Sequence, residues 1–250
     1  MIDESVNLDF TRSRLVWSDR IQVGELELGA EEIILALADM LTEPRRLRLM
    51  QVVERRSRHL VTVLENIYDR GNISAVMRSS EAFGFLEVNI LDSPGAKFKA
   101  ANRVTRGADK WLDVKSFTSA VAVAEELKKQ GYQLWATDLN CTTSIDDIDW
   151  SRPVAIVLGN EKDGVSKDMS DLVDGRFQIP MQGFSQSFNI SVAAALIYYR
   201  AQLELRRSVP GSGVLDPVRQ RLVLANYYLR CFDNPEALLR AKGHRPKLNL

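Results

Sequence analysis

LVTVLENIYDRGNISAVMRSSEAFGFLEVNIL, Leu60 to Leu91, holds two apolar runs separated by a stretch of helical spacing. LVTVLE (Leu60 to Glu65) is rich in β-branched residues and reads as a buried strand, and LEVNIL (Leu86 to Leu91) reads as a second. Between them Ile73, Val76, Met77, Ser80 and Phe83 or Gly84 form an inward helix face, with Asn72 or Ser74 placed to cap it. Strand, helix and strand in so short a span predict a βαβ unit, whose two strands lie parallel.

The alternation continues downstream. WLDVKSF predicts a strand, SAVAVAEELKKQG a helix closed by Gly131, and YQLWATDL another strand. PVAIVLG (Pro153 to Gly159) is a further strand, SKDMSDLV a short helix beginning near Ser166, GRFQIPM a last strand, and a long helix runs from about Ser187 to Arg207. The succession predicts an α/β fold, a mainly parallel sheet with helices on both faces. Upstream, from Gly29 to about Arg58, AEEIILALADML and RRLRLMQVVERR have helical spacing around a break at Pro44. Beyond Val214 one or two short helices carry a basic tail. Three regions follow: a partly helical, Arg-rich extension over 1–58, an α/β domain over 59–208, and a helical basic extension over 209–250.

Composition bounds the function. The 250 residues are 45% apolar, the range of an ordinary globule, and no apolar stretch approaches the roughly 18 residues of a membrane span. The acidic opening MIDESVNLDF is unlike a targeting segment, so a cytoplasmic protein is expected. Cys141 and Cys231 lie far apart, with no CxxC or Cys/His spacing, and neither a disulfide framework nor a metal site is expected. Formal charge is zero, yet Arg45, Arg46, Arg48, Arg55, Arg56 and Arg58 crowd one stretch, and Arg240, Lys242, Arg245 and Lys247 the tail. Such patches are either solvated helix faces or contacts for a nucleic-acid backbone, because screening keeps each charge local.

In an open parallel sheet the ligand crevice lies beyond the carboxyl ends of the strands. The loop GNEKDGVS fails as a P-loop, since Val165 and Ser166 follow Gly164 where a lysine is needed, and no GxGxxG follows any strand. It offers Asn160 and the carboxylate of Glu161, which would equally suit a solvated turn. QGFSQSFN packs polar residues before an apolar helix that Ser187 or Asn189 can cap. Arg78, within an otherwise small-residue helix, has a dull partner in Glu81 at i+3 and a sharper use as a phosphate fork.

Together, NIYDRGNISAVMRSSEAFG, VAIVLGNEKDGVS and IPMQGFSQSFNISVAAALIYY resemble, in order and separation, the three signature motifs of the SpoU/TrmH branch of the SPOUT superfamily, RNA ribose 2′-O-methyltransferases. The similarity spans about Leu60 to Arg207, and DPVRQRLVLANYYLRC resembles the C-terminal extension of transfer-RNA members. The resemblance implies a C-terminal trefoil knot, a homodimer packed through the helices of the first and last motifs, and S-adenosylmethionine as cofactor. It assigns the cofactor to Thr137, Leu139, Leu158, Gly159, Asn160, Glu161, Ile179, Met181, Phe188 and Asn189. It makes Arg78 the proton acceptor or the clamp aligning phosphate and ribose, supported by Asn72, Glu161, Ser187 and Asn189. RNA would lie against Arg45, Arg46, Arg48, Arg55, Arg56, Arg70, Arg206 and Arg207. The implied substrate is transfer RNA, at the D-loop guanosine of the position-18 class. Ribosomal RNA, or RNA binding without catalysis, is the alternative. The loop departs from the family, reading IYDRGN where transfer-RNA members carry a His-Lys-Pro-His-Asn type run, which leaves Arg70 as its only basic group.

Overall fold

A computed structural model describes residues 14–92, 107–208 and 213–246; the acidic opening stretch and Lys247 of the tail lie outside them. The chain divides into two compact units, one built on Ser57–Gly213 and the other on Leu15–Arg56 with the chain from Val214 onward. The two extensions thus contribute to a single unit.

That smaller unit opens with an antiparallel hairpin of β1 (Arg20–Val23) and β2 (Leu26–Gly29), with Ile21 opposite Leu28. Ile21, Val23, Leu26 and Leu28 are buried, and Gly24 turns the chain at a φ of +61°. The hairpin is absent from the sequence expectations, although IQVGELEL alternates around a glycine as hairpins do. Helices α1 (Ala30–Ala38) and α2 (Glu43–Val53) follow, Pro44 lying in the first turn of α2, where its missing N–H costs nothing.

The larger unit begins with β3 (Ser57–Glu65), α3 (Arg70–Phe83) and β4 (Phe85–Leu91), the βαβ unit of the opening stretch. It continues through β5 (Asp113–Phe117), α4 (Ala120–Lys129), β6 (Gln133–Thr137), β7 (Val154–Leu158), α5 (Lys167–Ser170), β8 (Gly175–Phe177) and α6 (Ile190–Ser208). The six strands run in the order β5-β4-β3-β7-β6-β8, every pairing parallel. Alternation along β3 sends Leu60 and Leu64 to a core with Ile73, Val76 and Met77 of α3 and Ile197 of α6. Val61 and Val63 point the other way, to Val123 and Leu127 of α4 and Met169 of α5. Both faces are therefore covered, which is why the strands read as continuous apolar runs.

Two buried polar contacts mark this unit. The Tyr198 hydroxyl lies 2.8 Å from Thr62 Oγ1, tying α6 to β3, and burial pushes its pKa up to about 12. Glu87 has a fully buried side chain that accepts from Arg58 Nη2 at 2.5 Å and Lys115 Nζ at 2.9 Å. Burial pushes the Glu87 carboxyl up, but the two cations outweigh it and hold the pKa below the usual carboxylate value.

Completing the smaller unit, α7 (Pro217–Leu229) packs on α1 and α2, and α8 (Pro235–Ala241) on α1. Asp216 and Asn234 cap them by accepting from Arg219 N and Ala237 N. Arg56 is 1% exposed, with its Nε donating to the Tyr227 hydroxyl at 3.0 Å and its guanidinium against the Tyr227 ring. The expectation that Arg56 meets RNA is corrected: its side chain belongs to this core.

Candidate active site

The strand order turns at β3 and β7, whose neighbouring carboxyl ends form the crevice expected at such a switch point. Beyond β3, Asn66 takes a left-handed φ of +51°, a conformation asparagine tolerates better than most residues. Asp69 caps α3, its Oδ1 accepting from Gly71 N at 2.7 Å. The helix thus starts two residues before the first Asn-Ile-Ser, and the expectation that Asn72 or Ser74 caps it is corrected. Ser74 is buried, while Asn72 sits in the first turn with its side chain available for other work.

That work is a bond to the second motif. Asn72 Nδ2 donates to Glu161 Oε1 at 2.9 Å, and Tyr68 N donates to Glu161 Oε2 at 3.3 Å. The loop carrying Glu161 folds tightly: Asn160 and Gly164 exchange backbone hydrogen bonds, and Asn160 Oδ1 accepts from Lys162 N and Asp163 N. A Cβ on Gly159 would lie 2.2 Å from the Gly164 carbonyl carbon and Val165 nitrogen, so only glycine fits there.

The third motif closes the group. Asn189 caps α6, its Oδ1 accepting from Ser191 N at 2.9 Å and Ser191 Oγ at 2.6 Å. Its Nδ2 donates to Asn72 Oδ1 at 3.1 Å. A chain of side-chain hydrogen bonds therefore runs Asn189 to Asn72 to Glu161, one residue from each motif. Arg78 is exposed on α3, six residues beyond Asn72 or about 9 Å along the helix. Among the described residues Arg78 makes no ion pair, the Glu81 partner included.

Beside this chain lies a cleft of about 720 Å³, within the roughly 300–1,000 Å³ range of small-molecule sites. Thr137, Leu139, Leu158, Gly159, Asn160, Glu161, Ile179, Met181, Phe188 and Asn189 all line it, as does Ser187. Its wall mixes apolar side chains with the carboxylates of Asp138, Glu161 and Asp163, which outnumber the cations Lys162 and Arg176, the latter 3.7 Å from Asp138. Such a donor set fits a cationic nucleoside, apolar groups for the base and acids for positive charge, better than a polyphosphate.

The arginines expected to meet RNA divide. Arg48, Arg55, Arg70, Arg206 and Arg207 are exposed, and Arg45 and Arg46 are half-buried, Arg45 Nη2 lying 3.9 Å from Cys231 Sγ. Sequence reasoning passed over Glu65, Asn66 and Ser166, which hold the Glu161 loop in place: Asn160 Nδ2 donates to the Asn66 carbonyl, and Ser166 to the Glu65 carboxylate. The available signal was an acid ending the otherwise apolar run LVTVLE.

Comparison with known proteins agrees with this geometry. The profile of the SpoU rRNA methylase family matches residues 59–199. A tRNA (guanosine(18)-2′-O)-methyltransferase of Thermus thermophilus is 35% identical over 74% of this chain and 96% of its own. The Escherichia coli K12 protein of the same name is 35% identical over 63% and 69%. Among solved structures, the TrmH/SpoU tRNA-modifying enzyme of A. aeolicus superposes with a TM-score of 0.68 at 31% identity, covering 74% of this chain and 96% of that one. The SpoU methyltransferase AviRb of Streptomyces viridochromogenes, solved with AdoMet, gives 0.56 at 25% identity, over 62% and 63%. With its three motif loops joined at the sheet's switch point and the family profile matching more than half of its length, the chain belongs to the SpoU methylase family.

Proposed function

We propose that this protein transfers a methyl group from S-adenosylmethionine to a ribose 2′-hydroxyl of transfer RNA, at the D-loop guanosine of the position-18 class. The observation that carries the proposal is the chain Asn189–Asn72–Glu161, two of whose members line the cleft, because it brings all three motifs to one place. The substrate follows the relatives, whose name specifies guanosine 18 of tRNA.

Bound in the cleft, S-adenosylmethionine would supply the methyl group. The ribose hydroxyl attacks well only as its proton leaves, so alignment of ribose, phosphate and proton path is the protein's task. A guanidinium keeps its proton near neutral pH and offers a planar fork of donors. Arg78 is therefore read as the clamp on the phosphate beside the target ribose, orienting the hydroxyl toward the cleft. Asn72, through its bond to Glu161, ties the wall of the cleft to the helix that carries Arg78. Ser187 and Asn189 line the same cleft.

The working form is a cytoplasmic homodimer joined through α3 and α6. Val192, Leu196 and Tyr199 support this, being exposed large apolar residues at helical spacing on α6. The implied knot has support in the route of the chain. β8 lies at the sheet edge beyond β6, yet the segment after it must return to Asn72, next to β3, for the Asn189 bond to form. Exposed Arg48, Arg55, Arg70, Arg206 and Arg207 would meet RNA phosphates.

Incubation with methyl-labelled S-adenosylmethionine and separated transfer and ribosomal RNA tests the proposal. Label on the ribose of the D-loop guanosine is expected. Label confined to ribosomal RNA, or none in either pool, would overturn it.

A further inference from the structure

Glu65, the last residue of β3, is 2% exposed, and both its oxygens are taken by one neighbour. Oε2 accepts from Ser166 N at 2.9 Å and Oε1 from Ser166 Oγ at 2.6 Å. Ser166 Oγ in turn accepts from Met169 N at 3.2 Å, which leaves its own proton for Glu65. A buried carboxylate facing uncharged donors is costly to desolvate, and the bonds it accepts are correspondingly strong. The next residue, Asn66, offers its carbonyl to Asn160 Nδ2 at 2.8 Å. Two consecutive residues at the end of β3 therefore hold both ends of the loop from Asn160 to Ser166. Between those ends Glu161 reaches back to Tyr68 N and Asn72, and residues 160–165 line the cleft.

We infer that Glu65 is a positioning residue for methyl transfer: through Ser166 it pins the Asn160–Ser166 loop to the end of β3, setting the cleft wall and keeping Glu161 within reach of Asn72. The role presupposes the methyl-donor cleft proposed above. Glu65 touches no substrate itself, and its effect passes through the loop.

The test uses the full chain with Glu65→Ala, Glu65→Gln, Ser166→Ala and the double variant Glu65→Ala/Ser166→Ala. S-adenosylhomocysteine binding is followed by calorimetry, and kcat and both KM values by label transfer to tRNA. Glu65→Ala is expected to weaken S-adenosylhomocysteine binding and raise the S-adenosylmethionine KM by at least about tenfold, with the tRNA KM within about twofold of wild type. Glu65→Gln restores part of the loss, since its amide oxygen can accept from Ser166 N while its amide nitrogen donates to Ser166 Oγ, whose own proton then loses the carboxylate. The double variant loses no more than Glu65→Ala alone, because the two residues act as one contact. Should Glu65→Ala fail to fold, Ser166→Ala carries the test, with a smaller loss on the same KM. Wild-type binding and turnover in Glu65→Ala would overturn the inference, as would equal rises in both KM values unrelieved by Glu65→Gln, or full additivity in the double variant. A wild-type chain that neither binds S-adenosylhomocysteine nor transfers label would instead overturn the cleft's proposed ligand, and the inference with it.

Discussion

Glu87 and Glu161 are carboxylates of the same unit held on opposite terms. Glu87 is sealed within the sheet face and neutralised by Arg58 and Lys115. Glu161 stands exposed at the loop ends, gripped by the Asn72 amide and the Tyr68 backbone N–H, both uncharged. A buried charge is costly unless counter-charges or strong hydrogen bonds compensate it, and Arg58 and Lys115 do so for Glu87, which binds that cluster into stability. A carboxylate at the water boundary, held by neutral donors, stays open to a ligand and contributes little to folding.

Substitution separates the two kinds of carboxylate. The largest effect is expected of Glu87→Ala, which takes a buried counter-charge from two half-buried cations and should cost about 3–5 kcal/mol in urea unfolding. The pH dependence has a definite sign. Because the folded-state pKa of Glu87 is depressed, its charge stabilises fully above the unfolded carboxylate pKa of about 4.3, and that stabilisation fades as pH falls through the lower folded value. The stability gap between wild type and Glu87→Gln should therefore narrow on acidification below about pH 4; a gap that widens would refute the ion-pair account. Arg78→Ala comes next, with kcat expected to fall at least about 100-fold while the thermal midpoint stays, since the side chain is exposed and makes no ion pair among the described residues. Near-normal turnover would remove Arg78 from the mechanism.

Asn189 separates the two kinds of role within one residue. Asn189→Asp keeps an oxygen to cap α6 but loses the donor to Asn72, so turnover should drop about tenfold with stability unchanged. Asn189→Ala should show the same kinetic loss plus about 1 kcal/mol of destabilisation from the missing cap. Smallest is Arg48→Ala: binding of tRNA should weaken a few-fold and the slope of log affinity against log salt fall by about 1, as for one lost phosphate contact. Arg56→Ala should lower stability instead, because its guanidinium is packed on Tyr227.

The parallel sheet was legible because β3, β4 and β7 are buried on both faces and show it as unbroken apolar runs. The Asn-Ile-Ser tripeptides show where local spacing stops informing. Asn189 caps its helix as expected, whereas Asn72 does not, because Asp69 three residues earlier offers a better-placed oxygen. Both sites were visible in sequence, but which oxygen wins depends on where the chain leaves β3, and the left-handed turn at Asn66 decides that. Arg56 misled for a related reason. Charge density along α2 marks a basic surface, yet the partner that draws Arg56 inward is Tyr227, from the far end of the chain. The bond between Glu65 and Ser166 went unnoticed because a pairing between distant residues leaves no periodicity.

The central strand pair, Leu60 alongside Val154, has a consequence in time. As the chain emerges from the ribosome, β3, β4 and β5 can pair with one another early, but β3's other edge has no mate until β7 is synthesised. Contacts so distant in sequence form slowly, since a long loop must close before they gain anything. Asn72 comes from the early half, and Glu161 and Asn189 from the late one. Competence for chemistry should thus be among the last properties the nascent protein acquires, after most of its secondary structure is in place.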